Sequence, residues 1–177
     1  SERLLTPYQE KVSRLTELGV DELIILPFNE ALANMRAIDF VERYLIQYGV
    51  AHVSTGFDFR FGRMGEGEVE LLGGYSDRFS LNITPKYELE QEKIGATEIK
   101  RYLADGNIKK VTQMLGRPYR IHGMVVSGQQ RGRQIGFPTA NLQLSEDYVI
   151  PKKGVYAVEV EIEGQRYVGM CNIGHNP

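Results

Sequence analysis

The sequence is short of the features that would announce several classes of protein. Only one of its 177 residues is a cysteine, Cys171, which excludes a disulfide framework and makes a reducing compartment the default. No apolar run approaches membrane-spanning length, the longest candidates being Leu23–Leu26 and Met124–Val126. The opening Ser1-Glu2-Arg3-Leu4-Leu5 is too short and too polar for a signal peptide. Charge is nearly balanced, at a formal net −2, so no global basic field points to nucleic acid. No repeat or low-complexity tract stands out. These absences imply a soluble, cytoplasmic chain with no membrane or nucleic-acid partner, and they leave its oligomeric state open. The 42% hydrophobic content is enough for real cores, in one large domain or two small ones.

The first half alternates between helical and extended patterns. Thr6-Pro7-Tyr8-Gln9 fits a capping box, with Tyr8, Val12, Leu15 and Leu18 on one helical face and Gly19 as the stop. Leu23–Leu26 reads as a strand covered on both faces. Phe40, Val41, Tyr44, Leu45 and Tyr48 predict a second helix closed by Gly49, with strands over Val50–Thr55 and Arg78–Thr84. That rhythm is the one expected of a parallel α/β sheet. Ile99, Tyr102 and Leu103, then Ile108, Val111, Met114 and Leu115, mark two more helices, the second capped by Asn107. After Gly116 alternation takes over. Tyr156, Val158, Val160 and Ile162 share one side and Glu159, Glu161 and Glu163 the other, with Glu163-Gly164 as a tight turn. The fold expected is α/β plus β: a parallel α/β domain over 1–115 and a small antiparallel β-barrel over 116–177.

Two loops carry candidate chemistry. The first, Gly56-Phe57-Asp58-Phe59-Arg60-Phe61-Gly62, follows a predicted parallel strand, where open α/β sheets bind ligands. Its aromatic face could stack a flat ring and Asp58 could accept hydrogen bonds from that ring; equally, the loop could simply close over the sheet. The second follows an expected strand, Tyr119–Ser127. Gly128, Gly132 and Gly136 let main-chain N–H groups approach a phosphate, while Arg131 and Arg133 add forked donors. Thr139 and Asn141, at i and i+2, can aim two hard oxygens at one small cation such as Mg²⁺. The bland alternative is a solvated hairpin tip followed by a turn.

The run Gly132-Arg-Gln-Ile-Gly-Phe-Pro-Thr-Ala-Asn141, followed by Pro151-Lys-Lys-Gly-Val-Tyr-Ala157 and Asn172-Ile-Gly-His-Asn-Pro177, is similar in order and spacing to the riboflavin kinase family. Gly-x-Asp-Phe-x-Phe-Gly at 56–62 resembles the flavin-handling loop of bacterial FMN adenylyltransferases. Leu5-Thr6-Pro7, Phe28–Ala33 and Phe40-Val41-Glu42 also look like that family. The chain thus resembles the bacterial bifunctional riboflavin kinase/FMN adenylyltransferases, whose first half has a nucleotidyltransferase-type fold and whose second half is a six-stranded barrel.

The resemblance implies ATP as co-substrate, riboflavin, FMN and FAD as substrate or product, and Mg²⁺ held by Thr139 and Asn141. It assigns ATP binding to Gly128, Arg131, Gly132, Arg133, Gly136 and Asn172, and flavin binding to Gly56, Asp58 and Phe59. The family's Ser-Ser-Thr-x-Ile-Arg motif appears as Gly95-Ala96-Thr97-Glu98-Ile99-Lys100, leaving Thr97 and Lys100 as the phosphate region. There lysine brings a point charge without arginine's planar fork. The family's opening two-histidine segment has no counterpart, and its acidic kinase base would follow Pro177. His52, His122 and His175 stand isolated, His52 within a strand. The catalytic residues are therefore not identified within the chain. These departures suggest a chain truncated at both ends, silent in both reactions as an isolated fragment. Three alternatives follow: flavokinase alone with a degenerate adenylyltransferase half, a non-enzymatic flavin- or nucleotide-binding regulator, and, least favoured, an RNA-binding small barrel.

Overall fold

The structure, a computed structural model, describes residues 3–127 and 139–174. It divides into two compact units, Ile24–Lys93 and a second that joins Ser1–Leu23 to Ile94–Pro177.

In the unit Ile24–Lys93, a short helix α2 (Glu30–Ala33; α1 lies in the other unit) starts where the Asn29 side chain accepts the Leu32 N–H at 3.0 Å. The expected helix around Phe40 is present as α3 (Ala37–Val41), which widens into a π turn over Glu42–Ile46 and closes before Gly49 at φ 66°. Strand β1 (His52–Gly56) pairs in parallel with β2 (Ser80–Thr84), from His52↔Ser80 to Gly56↔Thr84. The crossover between them carries the aromatic loop and α4 (Val69–Gly73). A hairpin of β3 (Glu88–Leu89) and β4 (Glu92–Lys93) follows. Val41, Leu72, Phe61, Phe79 and Ala37 form the core, because α3, α4 and the loop all lay apolar side chains against one face of the parallel pair.

Leu23–Leu26 is not a strand. Leu23, Ile24 and Ile25 are 38%, 59% and 59% exposed. An apolar run becomes a doubly covered strand only if a sheet edge receives it. Among the described residues β1 and β2 pair only with each other.

The other unit opens with α1 (Tyr8–Glu17). Its cap is not the expected box: Pro7 precedes the helix without a side-chain cap, and the Gln9 N–H instead donates to the Glu146 carboxylate at 3.2 Å. An anion supplied from distant sequence serves the helix N-terminus as well as a local one would. The expected apolar face is also displaced, with Tyr8 54% and Leu18 79% exposed while Glu10 is 1% exposed. Helices α5 (Ala96–Asp105) and α6 (Ile108–Leu115) form as the periodicity predicts, burying Ile99, Leu103, Val111 and Met114. Gly106 and Gly116 close them in the left-handed region, and Asn107 caps α6 by accepting the Lys110 N–H at 3.2 Å.

Strand β5 (Gly123–Val126) is shorter than Tyr119–Ser127 and pairs antiparallel with β6 (Asn141–Leu144). Residues 117–122 are used instead for polar links: the Tyr119 hydroxyl donates to the Val149 carbonyl at 2.9 Å, and Arg120 meets Glu17 at 3.3 Å. Strands β7 (Gly154–Ile162) and β8 (Gln165–Ile173) form a long hairpin. Its turn sets Glu163 and Gly164 at φ 52° and 79°, the primed geometry that strand twist favours. The antiparallel β region is present. A closed barrel is not seen: among the described residues β5–β6 and β7–β8 remain separate two-stranded ladders.

Candidate functional site

The aromatic loop leaves the carboxyl end of β1 and is shaped by backbone and ring contacts. The Phe57 N–H donates to the Thr84 carbonyl at 2.9 Å, extending the parallel ladder one step. The Phe59 N–H donates to the Gly56 carbonyl at 3.2 Å, which turns the chain. Phe61 is buried against Phe40 at 5.5 Å, and Phe59 stacks on Phe61 at 5.5 Å with planes 21° apart. One face of Phe59 is thus anchored to the core, yet Phe59 remains 39% and Phe57 41% exposed. At Gly62, φ is 74° and an added Cβ would lie 2.6 Å from the Ala37 Cα, so this glycine lets the loop pass close against α3. The Glu66 carboxylate completes the brace by accepting the Ala37 N–H at 2.9 Å, and that bond holds its pKa below the ordinary glutamate value.

Asp58 lies between the two exposed rings in sequence, and its Oδ2 accepts from the Lys93 ammonium at 2.9 Å. That hydrogen bond, with the ammonium charge, holds the Asp58 carboxyl below its ordinary range. The same ammonium sits 5.5 Å from the centre of the Phe57 ring. The structure therefore brings together Gly56, Asp58 and Phe59, and it adds Lys93, which sequence reasoning missed. No motif links residues 35 apart; only the β3–β4 hairpin delivers the lysine to the loop.

Thr97 and Lys100 lie in the first two turns of α5, after Gly95 at an extended φ of −157° and with no side-chain cap. Thr97 is exposed and Lys100 half-buried, and the i, i+3 spacing puts them on one helical face.

Of the second loop, Gly128, Arg131, Gly132, Arg133 and Gly136 lie outside the described residues, as do His175, Asn176 and Pro177 of the last motif. Asn141 opens β6 opposite Val126, the last residue of β5, and Thr139 precedes it by two residues. Thr139 is exposed and Asn141 half-buried. A hydroxyl and an amide carbonyl are hard, neutral oxygens, a donor set that fits Mg²⁺ sharing its shell with waters and phosphate. Asn172 stands near the end of β8 opposite Val155, exposed, in the other ladder. No strand pairing among the described residues joins it to Thr139 or Asn141.

His52 and His122 are less isolated than their sequence positions suggest. His52 Nδ1 shares a hydrogen bond with the Ser80 hydroxyl at 2.7 Å across the parallel pair. His122 Nε2 is 2.6 Å from Glu10 Oε2, and the other Glu10 oxygen accepts from Arg14 Nε at 2.7 Å.

Two families cover most of the chain. The FAD synthetase model matches residues 1–98 and the riboflavin kinase model matches residues 115–177. The chain belongs to the FAD synthetase family. It is 41% identical over 175 residues to the bifunctional riboflavin kinase/FMN adenylyltransferase of Listeria monocytogenes, covering 98% of this chain and 56% of that protein. The protein of the same description from Escherichia coli strain K12 is 38% identical over 177 residues, again covering 98% and 56%. A crystal structure described as a macrolide-efflux protein from Streptococcus pneumoniae superposes with a TM-score of 0.87 at 38% identity, covering 98% of this chain and 56% of that one. That likeness carries the fold and not the description. No helix among the described residues is long and apolar enough to cross a membrane. The chain spans little more than half the length of these relatives. The aromatic loop lies in the stretch matched by the FAD synthetase family, and Thr139, Asn141 and Asn172 lie in the stretch matched by riboflavin kinase.

Proposed function

We propose that the protein phosphorylates riboflavin to FMN and adenylylates FMN to FAD, drawing on ATP in both steps, with residues 1–115 serving adenylylation and 116–177 phosphorylation. The observation that carries this reading is the presence, in one chain and in order, of stretches matched by both families. In the first step the riboflavin 5′-hydroxyl attacks the γ-phosphorus, giving up its proton as ADP leaves. In the second the FMN phosphate attacks the α-phosphorus of another ATP and pyrophosphate leaves.

The work of this chain's residues is orientation and charge neutralisation. By this reading Gly128, Arg131, Gly132, Arg133, Gly136 and Asn172 serve ATP, the arginines bringing guanidinium charge to its phosphates. Thr139 and Asn141 would hold Mg²⁺, which supplies charge neutralisation at the phosphates. In the adenylylating half, Phe59 presents a ring anchored from behind by Phe61 and Asp58 accepts from the flavin. Thr97 and Lys100 are the residues proposed for phosphate recognition. A second reading, flavokinase alone, rests on Gly95-Ala96, where this chain has no hydroxyls before Thr97.

The test uses the full-length protein with riboflavin, ATP and Mg²⁺, products being separated by chromatography. FMN appearing first and FAD later supports both steps. FMN without FAD, even when FMN is supplied, supports the second reading. Neither product refutes the proposal.

A further inference from the structure

We infer that Glu10 is a positioning residue for the phosphorylation step, holding the base of the β5–β6 ladder so that Asn141 at its far end, and Thr139 before it, keep their place. This rests on the phosphorylation step and metal ligands proposed above. It goes beyond them by assigning to that step a residue from the stretch matched by the FAD synthetase family.

Helix α1 belongs to one family by sequence and is packed with the other. Ser1–Leu23 forms a compact unit with Ile94–Pro177 rather than with Ile24–Lys93. The contacts gather at one end of the β5–β6 ladder. His122 immediately precedes β5 and Ser145 immediately follows β6, and the His122 carbonyl accepts the Ser145 N–H at 3.2 Å and its hydroxyl at 3.1 Å. That end lies opposite the Asn141 end, and α1 holds both strands there. On the β5 side Glu10 Oε2 meets His122 Nε2 at 2.6 Å. On the β6 side the Glu146 carboxylate accepts the Gln9 N–H at 3.2 Å. Just beyond, the Leu4 N–H donates to the Asp147 carbonyl at 2.9 Å and the Leu4 carbonyl accepts the Val149 N–H at 3.0 Å.

The character of this grip points to placement more than to cohesion. The helix leaves Tyr8 and Leu18 exposed and buries Glu10 instead. A buried, paired carboxylate gains little over an apolar side chain of its size, because desolvation offsets the attraction. What it adds is direction. Arg14, one turn on in the same helix, fixes one carboxylate oxygen at 2.7 Å, and the other oxygen is thereby aimed at His122. The ladder is four pairs long, from Gly123↔Leu144 to Val126↔Asn141, so its ends lie roughly 10 Å apart. A tilt at the base of so short a ladder reaches its tip. Mg²⁺ demands near-ideal octahedral geometry, so a small displacement of its oxygen ligands weakens its hold.

The test has two readouts on the full-length protein and its Glu10→Ala, Glu10→Gln and Glu146→Gln variants, both taken below the onset of melting. The first is amide hydrogen exchange without metal or nucleotide, where β5 and β6 in Glu10→Ala are expected to exchange about tenfold faster while β7 and β8 keep the wild-type rate. The second is a Mg²⁺ titration of riboflavin phosphorylation. Glu10→Ala is expected to need about tenfold more Mg²⁺ for half-maximal rate and to recover most of the wild-type rate at saturation, with KM for riboflavin unchanged. Glu10→Gln, which keeps an acceptor oxygen, falls between Glu10→Ala and wild type. FAD formation from supplied FMN keeps its wild-type Mg²⁺ dependence. Lost stability alone would reduce the amount of active protein and leave the Mg²⁺ requirement where it was. If Glu10→Ala does not fold, Glu10→Gln and Glu146→Gln decide by the same readouts. Unchanged exchange in β5 and β6, or an unchanged Mg²⁺ requirement for phosphorylation, overturns the inference in folded variants, as does an equal rise for FAD formation. A wild-type protein that forms no FMN overturns the phosphorylation step and the inference with it, and the wild-type activity tells the two failures apart.

Discussion

Replacing Glu10 removes the charge that ties α1 to the segment leading into β5. The carboxylate is 1% exposed and holds Arg14 Nε at 2.7 Å, with Arg117 Nη1 at 3.8 Å. Its other oxygen meets His122 at 2.6 Å. Truncating one partner of a fully buried ion pair costs about 3–5 kcal/mol, because the other charge is stranded. Here the stranded groups have outlets: Arg14 is 19% exposed and keeps Glu17 at 2.7 Å, and Arg117 is 27% exposed. The expected loss for Glu10→Ala is therefore about 2–3 kcal/mol at neutral pH. In a chain of this size that lowers Tm by roughly 5–10 °C.

The same carboxylate sets a pH signature. Burial alone would raise its pKa, but the hydrogen bonds from Arg14 and His122 and their charges outweigh it and leave the value lowered. Stabilisation by Glu10 is thus fully present above the unfolded glutamate pKa and is lost as pH falls through the folded value. Glu10→Gln should cost stability at neutral pH and then converge on the wild-type curve under acid conditions. Melting curves of wild type, Glu10→Ala and Glu10→Gln from neutral to acid pH provide the measurement. Variants melting within about 1 °C of wild type at pH 7 would refute the reasoning, showing that the stranded guanidiniums hydrate at no cost.

Three further outcomes are expected. Gly62→Ala should cost about 3 kcal/mol or more in denaturant unfolding, since φ is 74° and the new methyl would lie 2.6 Å from the Ala37 Cα; a near-neutral result would mean the loop yields easily. Gln91→Gly should stabilise by about 1 kcal/mol, because its φ of 68° is natural to glycine, and the gain would appear as a raised denaturant midpoint. Thr139→Ala or Asn141→Ala in the full-length protein should abolish Mg²⁺-dependent phosphorylation of riboflavin and leave FAD formation from supplied FMN intact. Equal loss of both activities would mark misfolding and remove the metal assignment.

The sequence by itself determined whatever is decided within a few residues. The period of Ile99, Leu103, Val111 and Met114, the Asn107 cap and the left-handed Gly106 and Gly116 suffice for α5 and α6, because propensity, capping and one apolar stripe agree there. The Glu163-Gly164 turn and its flanking alternation suffice for the β7–β8 hairpin in the same way. The aromatic loop at 56–62 was legible because a tight loop braced by its own rings needs its glycines and phenylalanines close together in the chain. Only the tertiary structure decided the rest. The apolar run Leu23–Leu26 is strand-like in composition, yet pairing requires a neighbouring edge that no local pattern records. The α1 cap comes from Glu146, 137 positions away, so the local Thr6 signal was displaced by an anion from another part of the fold. The same holds for Glu10 with His122 and for Asp58 with Lys93, 112 and 35 positions apart. Charges pair by distance in space, and spacing along the chain says nothing of it until the chain has folded.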